Sequence, residues 1–280
     1  LPHRMALLHG LLGTAVTAIV AALAYVNSVD GELVFDDAYA LTNNPDVLPS
    51  APWWALWTHD FWGTPLASEF SHKSYRPITT WSYRAQVLLA GGVLSPAAVR
   101  AMHVANVALH AANSVLCVCM CRVVLDMGTG SATAVGVLFA VHPVHVEAVA
   151  NLVGRAELLA CFFFLSCILT YCHAGYAKRS LVSRSVALLL GCIALFCKET
   201  AIAALPFCAG LEVFEVLKAL AFHEHGRQAN SSSATCLRQR HTGAVAAVNR
   251  AFLVMLVTFG LLGIRLALNG GLHARPFLHP

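Results

Sequence analysis

The stretch Ala6-Leu7-Leu8-His9-Gly10-Leu11-Leu12-Gly13-Thr14-Ala15-Val16-Thr17-Ala18-Ile19-Val20-Ala21-Ala22-Leu23-Ala24-Tyr25-Val26 contains no Asp, Glu, Lys or Arg. An uninterrupted apolar run of about twenty residues is what a helix needs to cross a bilayer. Arg4 precedes it, so a signal peptide is the competing reading. The apolar core is long for one, however, and no small-x-small cleavage site follows cleanly. We read an uncleaved first span. The rest of the chain agrees: 58% of its 280 residues are hydrophobic and only 11% are charged. A soluble domain is nearer one quarter charged, so the composition excludes that class and indicates an all-α polytopic membrane protein.

Beyond the first span, Val34-Phe35-Asp36-Asp37-Ala38-Tyr39 places two carboxylates side by side where the chain would enter water. They repel each other, so a cation, a bound hydroxyl or a shared proton would relieve the pair. An Asx turn in a solvated loop is the structural alternative. Residues 27–96 form the longest stretch between spans. Trp53, Trp54, Trp57, Phe61 and Trp62 there suit a short helix lying among lipid headgroups. Ser71-His72-Lys73-Ser74-Tyr75-Arg76-Pro77 adds two cations, followed by an amphipathic helix through Trp81, Tyr83 and Arg84. Lys73 and Arg76 suit an anionic phosphate, or equally snorkelling beside a membrane.

Val99 to Leu125 reads as the second span. His103, Asn106, His110 and Asn113 recur at steps of three, four and three, which draws one polar stripe along it. Lipid does not tolerate such a stripe, so it faces other helices or a wet cavity. Ala132 to Val141 is too short to span alone and is expected to stop partway or borrow from its flanks. His142-Pro143 follows, then His145, Glu147, Asn151, Arg155 and Glu157. Glu147, Asn151 and Arg155, four residues apart, predict one helical ridge with an acid and a base two turns apart. Further apolar helices are expected over Leu158–Cys172, Val186–Cys197, Ala201–Val216 and Ala251–Leu268, with Lys198-Glu199 between two of them. Lys218 to Arg250, polar and basic, reads as a flexible loop. The ten cysteines show no CxxC pair or Cys/His zinc spacing, and we read them as packing residues.

Lys and Arg cluster on the side that holds Arg4, Arg122, Lys178, Arg179, Arg184, Lys218 and the 218–250 loop. The positive-inside rule makes that side cytosolic. Asp36-Asp37, the 142–157 segment and Lys198-Glu199 then share the opposite, lumenal face. The sequon Asn230-Ser231-Ser232 falls in the cytosol, where it would go unused.

An acidic pair after the first span, with His and acid groups in later loops, is similar to the layout of GT-C glycosyltransferases. Longer strings narrow the likeness: Phe35-Asp36-Asp37, Asn43-Asn44, Asp60-Phe61-Trp62-Gly63-Thr64-Pro65, Ser71 to Pro77, His142-Pro143-x-His145-x-Glu147-Ala148-Val149 and Val153-Gly154-Arg155-Ala156-Glu157. Together with Lys198-Glu199 they resemble the transmembrane and TPR-repeat-containing O-mannosyltransferases. The resemblance implies a GT-C-like helix bundle over 1–280, a large lumenal loop at 27–96 carrying short amphipathic helices, and a further lumenal segment beginning at 269–280. It implies a membrane-domain piece without the TPR repeats. The implied activity is transfer of mannose from dolichyl-phosphate-mannose to Ser/Thr hydroxyls of secretory proteins such as cadherins, in the endoplasmic reticulum membrane with a lumenal active site.

In that scheme Asp36 or Asp37 is the catalytic base. Arg155 is the first choice for the donor phosphate, with Lys73, Arg76 and Lys198 behind it, since a guanidinium fork matches phosphate oxygens. His142, His145 and Glu147 would orient the sugar or the base, and Glu157 and Glu199 join the substrate-binding set. The sequence identifies no cofactor beyond the lipid-linked donor, and the paired aspartates could hold a divalent cation. The partners are the lipid-linked donor, the acceptor protein and the bilayer, not nucleic acid. The competing class is a non-enzymatic transporter or scaffold whose polar interior only packs helices. A transporter would be expected to show inverted repeats, and the two halves share no duplicated hydropathy. A zinc hydrolase is weaker still, because HxxH lacks a nearby third ligand.

Overall fold

A computed structural model describes residues 2–176, 181–226 and 234–269. Five of its helices are long and apolar enough to cross a membrane: Leu8–Ser28, Pro96–Val123, Arg155–His173, Glu199–Lys218 and Gly243–Leu268. Among the described residues the one β feature is an isolated bridge between His59 and Pro65. The chain is an all-α polytopic membrane protein.

The first span lies in α1 (Pro2–Tyr25). A one-turn helix, α2 (Ala55–Thr58), and α3 (Pro77–Leu89) follow in the long connection to α4 (Pro96–Val123). Next comes α5 (Thr129–Val141), which packs with α4 against α1. Gly136 lets α5 approach closely, because a Cβ there would sit 2.2 Å from Val118 and 3.1 Å from Thr17. The carbonyl and proline at His142-Pro143 end α5, and the chain bends by 47° into Pro143–Ala150. The run too short to span alone ends as a helix at Val141, and with its bent continuation to Ala150 it is long and apolar enough to cross a membrane. Its continuation includes α6 (Val146–Ala150). A second group of helices, α7 (Arg155–Tyr176), α8 (Leu181–Cys197), α9 (Ala204–Gly226) and α10 (Ala234–Leu268), shares a core around Ile168, Leu205 and Val254. Cysteines 117, 119, 121, 161, 167, 172, 192, 197 and 208 are all free and half-buried or buried, as packing residues should be.

Two expectations change. The stretch 218–250 is mostly helical where described, because α9 continues to Gly226 and α10 starts at Ala234. It lacks an apolar period, but it holds no proline, and its seven Ala and four Arg are good helix formers. Lys178, Arg179, Arg227 and the sequon lie outside the described residues, as does 270–280. The tryptophan cluster forms only the single turn of α2. Trp53 and Trp54 are exposed, whereas Phe61 is 1% exposed and belongs to the core beside Tyr83. Asp60 explains the departure. Its carboxylate accepts hydrogen bonds from the Trp62 and Thr64 amides (both 3.0 Å), the Ser71 hydroxyl (2.7 Å) and the His72 amide (3.0 Å), which winds 60–72 into a tight loop.

Candidate functional site

Asp36 and Asp37 have parted company. Phe35 between Val34 and Asp36 adopts a left-handed backbone (φ 45°), a conformation that costs a non-glycine residue about 1 kcal/mol. Asp37 is fully buried. Its Oδ2 accepts from the Val34 amide at 3.3 Å and its Oδ1 from the Val153 amide at 2.9 Å, so it clamps the first loop to the start of α7. Asp36, by contrast, is exposed and lines a cavity of about 470 Å³. Backbone amides have claimed Asp37, whereas Asp36 faces the cavity.

The cavity lies where the first loop, the N-terminus of α3, the C-terminal ends of α5 and α8, α6 and the start of α7 converge. Acids and bases meet on its walls. Arg76 holds Glu199 (Nε to Oε2 3.0 Å, Nη2 to Oε2 3.0 Å), and Arg265 of α10 reaches the other oxygen of the same carboxylate at 2.5 Å. Two guanidiniums against one carboxylate leave this triad with one positive charge. Lys198 hydrogen-bonds Glu157. Among the described residues the side chains of Asp36 and Glu147 have no ion-pair or hydrogen-bond partner. His145 lines the cavity too, packed against Phe139 with ring centroids 4.3 Å apart.

Three expected ligands are engaged elsewhere. Arg155 is 2% exposed. Its Nε donates to Asn106 Oδ1 at 2.9 Å, its Nη2 to the Met102 carbonyl at 2.8 Å and its Nη1 to Gln86, while the guanidinium lies 4.6 Å over the Tyr83 ring. Burial pushes the Tyr83 phenol well above its ordinary range, so it stays protonated and donates to the Leu152 carbonyl at 2.7 Å. Arg155 is thus buried beneath the cavity with each guanidinium nitrogen engaged within the chain. Lys73 caps the carbonyls of Leu66 and Ser68 and does not reach the cavity wall. His142 caps the turn after α5, its Nδ1 accepting from the Val144 amide at 3.2 Å.

The ridge of Glu147, Asn151 and Arg155 is also broken. Asn151 is extended (ψ 132°) at the end of α6, and α7 begins afresh at Arg155. Gly154 permits the break, since a Cβ there would lie 2.5 Å from the Ala148 carbonyl oxygen. Glu147 is consequently exposed at the cavity while Arg155 points into the core. Four-residue spacing alone could not reveal this, because the helix it presumes does not exist.

The polar stripe on α4 is expected to face other helices or a wet cavity, and Asn106 takes the first course: its amide donates to the Val149 and Asn151 carbonyls at 3.4 and 3.2 Å. His110 and Asn113 also line the cavity, together with Phe139 and Asn151. Arg265 went unremarked because it lies within an apolar run, although a cation inside a span is itself a signal. Among the described residues no three His, Cys, Asp or Glu side chains gather as a metal site.

No family model and no solved structure matches the chain. Curated proteins do. It is 41% identical over 203 residues to mouse protein O-mannosyl-transferase TMTC3, covering 72% of this chain and 21% of the relative. Against human protein O-mannosyl-transferase TMTC4 the identity is 39% over 220 residues, covering 72% and 29%. Drosophila melanogaster protein O-mannosyl-transferase Tmtc1 is 40% identical over 203 residues, covering 72% and 23%. The chain thus spans between a fifth and a third of the length of these relatives. Over that span it belongs to the TMTC family of protein O-mannosyl-transferases.

Proposed function

Starting from that membership, we propose that the chain is the membrane-embedded catalytic part of a protein O-mannosyltransferase, with dolichyl-phosphate-mannose as donor and Ser/Thr hydroxyls of secretory proteins, cadherins among them, as acceptors. The cavity opens to the lumen of the endoplasmic reticulum in this reading, as the distribution of Lys and Arg along the chain supports. The observation that carries it is an unpaired carboxylate, Asp36, lining the same cavity as Arg76 and Lys198, at the junction of several spans.

Asp36 takes the proton of the acceptor hydroxyl as its oxygen attacks the anomeric carbon. The C–O bond to phosphate breaks, and its electrons leave with the dolichyl phosphate. Arg76, within the triad that carries one net positive charge, and Lys198 stabilise that leaving dianion. Glu199 and Glu157 hold the two cations in place and yield part of their hydrogen bonding to phosphate. Glu147 and His145 border the sugar. Asp37 acts through position, by tying the loop that presents Asp36 to α7.

Transfer of radiolabelled mannose from dolichyl-phosphate-mannose to a cadherin domain by the purified protein tests the reading. We expect transfer by the parent protein and a loss of about 10²- to 10⁴-fold in Asp36→Asn of equal thermal stability. Undiminished transfer by Asp36→Asn removes Asp36 from the mechanism. Absence of transfer by the parent, with uptake of a solute into vesicles instead, favours a transporter.

A further inference from the structure

We propose that His110 and Asn113 form the floor of the cavity that receives the hydroxyls of the donor's sugar ring. This rests on the reading just given and adds to it the residues that select the sugar. The argument begins with hydrogen-bond arithmetic. His110 is fully buried and Asn113 is 1% exposed, and both line the cavity. His110 Nε2 lies 2.9 Å from the Ala140 carbonyl, which only accepts, so that nitrogen carries the hydrogen. In the neutral ring Nδ1 is then an acceptor. Asn113 Nδ2 donates to the Leu158 carbonyl at 2.9 Å, which fixes the amide orientation and leaves Oδ1 as an acceptor.

His110 Nδ1 and Asn113 Oδ1 are both buried with no hydrogen-bond partner in the protein. A buried acceptor left unmade costs about 1–3 kcal/mol, and native proteins seldom leave two together. Three residues apart, they lie on one face of α4. What they lack is a pair of neutral donors. Phosphate offers acceptors, and an ammonium would find no anion in contact with either residue. A polyol fits. Phe139 stacks on His110 (centroids 5.9 Å apart, 20° between planes) and packs on His145, so the same end of the cavity offers aromatic faces to the C–H side of a sugar. Asp36, Arg76 and Lys198 supply the charged chemistry of the cavity. The arrangement assigns phosphate and sugar to different groups.

The test uses the purified protein in lipid nanodiscs with dolichyl-phosphate-mannose and each of its mono-deoxymannosyl counterparts, for the parent, His110→Phe, Asn113→Ala and Asn113→Ser. In the parent, removing one particular ring hydroxyl should lower kcat/KM by about tenfold, the worth of one hydrogen bond to a buried group. In the variant lacking its acceptor, that same deletion should cost less than about twofold, while KM for the protein acceptor stays put. Packing damage alone would lower all donors equally and leave the hydroxyl profile intact, which overturns the proposal. So does a parent enzyme indifferent to every hydroxyl, a result independent of how the variants fold. A parent that transfers no mannose but binds a different hexosyl phosphate, weakened about tenfold by Asn113→Ala, retains the sugar floor and discards the mannosyl donor.

Discussion

Two polar regions meet at Val153 to Arg155 and could hardly differ more. Beneath lies the sealed cluster of Arg155, Asn106, Gln86, Tyr83 and the Met102 carbonyl, in which Arg155 donates through each of its three nitrogens. Above lies the cavity, where Asp36 and Glu147 stand unpaired and two α4 acceptors are unsatisfied. Residue type does not separate them, for each holds charged and amide groups. Completion does. A buried ion whose hydrogen bonds are all made within the chain fixes structure, and one with capacity left over can bind or react. Asp37 and Asp36, neighbours in sequence, fall on opposite sides of that divide.

Substitutions can break the contrast in order of effect. The largest change in function is expected from Asp36→Asn, with transfer falling by about 10²- to 10⁴-fold, the usual contribution of a general base. Its unfolding free energy should stay within about 0.5 kcal/mol of the parent's, as read by thermal unfolding in detergent. Arg155→Met should do the reverse. It leaves Asn106, Gln86 and the Met102 carbonyl short of a donor and should destabilise by about 3–5 kcal/mol in the same measurement. A variant of Arg155 that keeps full stability but loses donor affinity would return that residue to the phosphate site.

Gly154→Ala sharpens the boundary itself. Its Cβ meets the Ala148 backbone, which cannot yield as a side chain would. We expect a loss of about 1–3 kcal/mol, with KM for the donor raised because Glu147 and Glu157 shift together. Asp37→Asn keeps one acceptor oxygen and should cost only about 1 kcal/mol, visible as faster amide exchange at Val153. Smallest of all, Lys73→Met removes a cap of an exposed loop and should leave the donor KM unchanged, with stability within about 0.5 kcal/mol.

The sequence carried the spans well because bilayer thickness imposes a length and a charge deficit that composition displays directly. The halt of α5 was readable from its short apolar run and Pro143. The sidedness of Lys and Arg puts Asp36, the 142–157 segment and Lys198 on one face, and Asp36, Glu147, Glu157 and Lys198 do line one cavity. What lay hidden was which of these groups still had capacity to spare. Arg155 looked like a phosphate ligand because its partners, Gln86, Asn106 and a carbonyl at Met102, come from α3 and α4 and leave no mark at fixed spacing. The α9 and α10 termini were missed for another reason: helix propensity without an apolar face is silent in a hydropathy pattern.

Arg265 bears on how the protein is made. It sits near the end of α10, yet it grips the Tyr75 carbonyl at 3.1 Å and Glu199 at 2.5 Å, across 190 and 66 residues. A nascent chain emerging from the ribosome has the first loop and Lys198-Glu199 long before this side chain is inserted. Until then, among the described residues, Glu199 has Arg76 as its one cationic partner. Completion of this triad therefore waits for the insertion of α10, and a chain stalled before it would hold Glu199 against Arg76 alone.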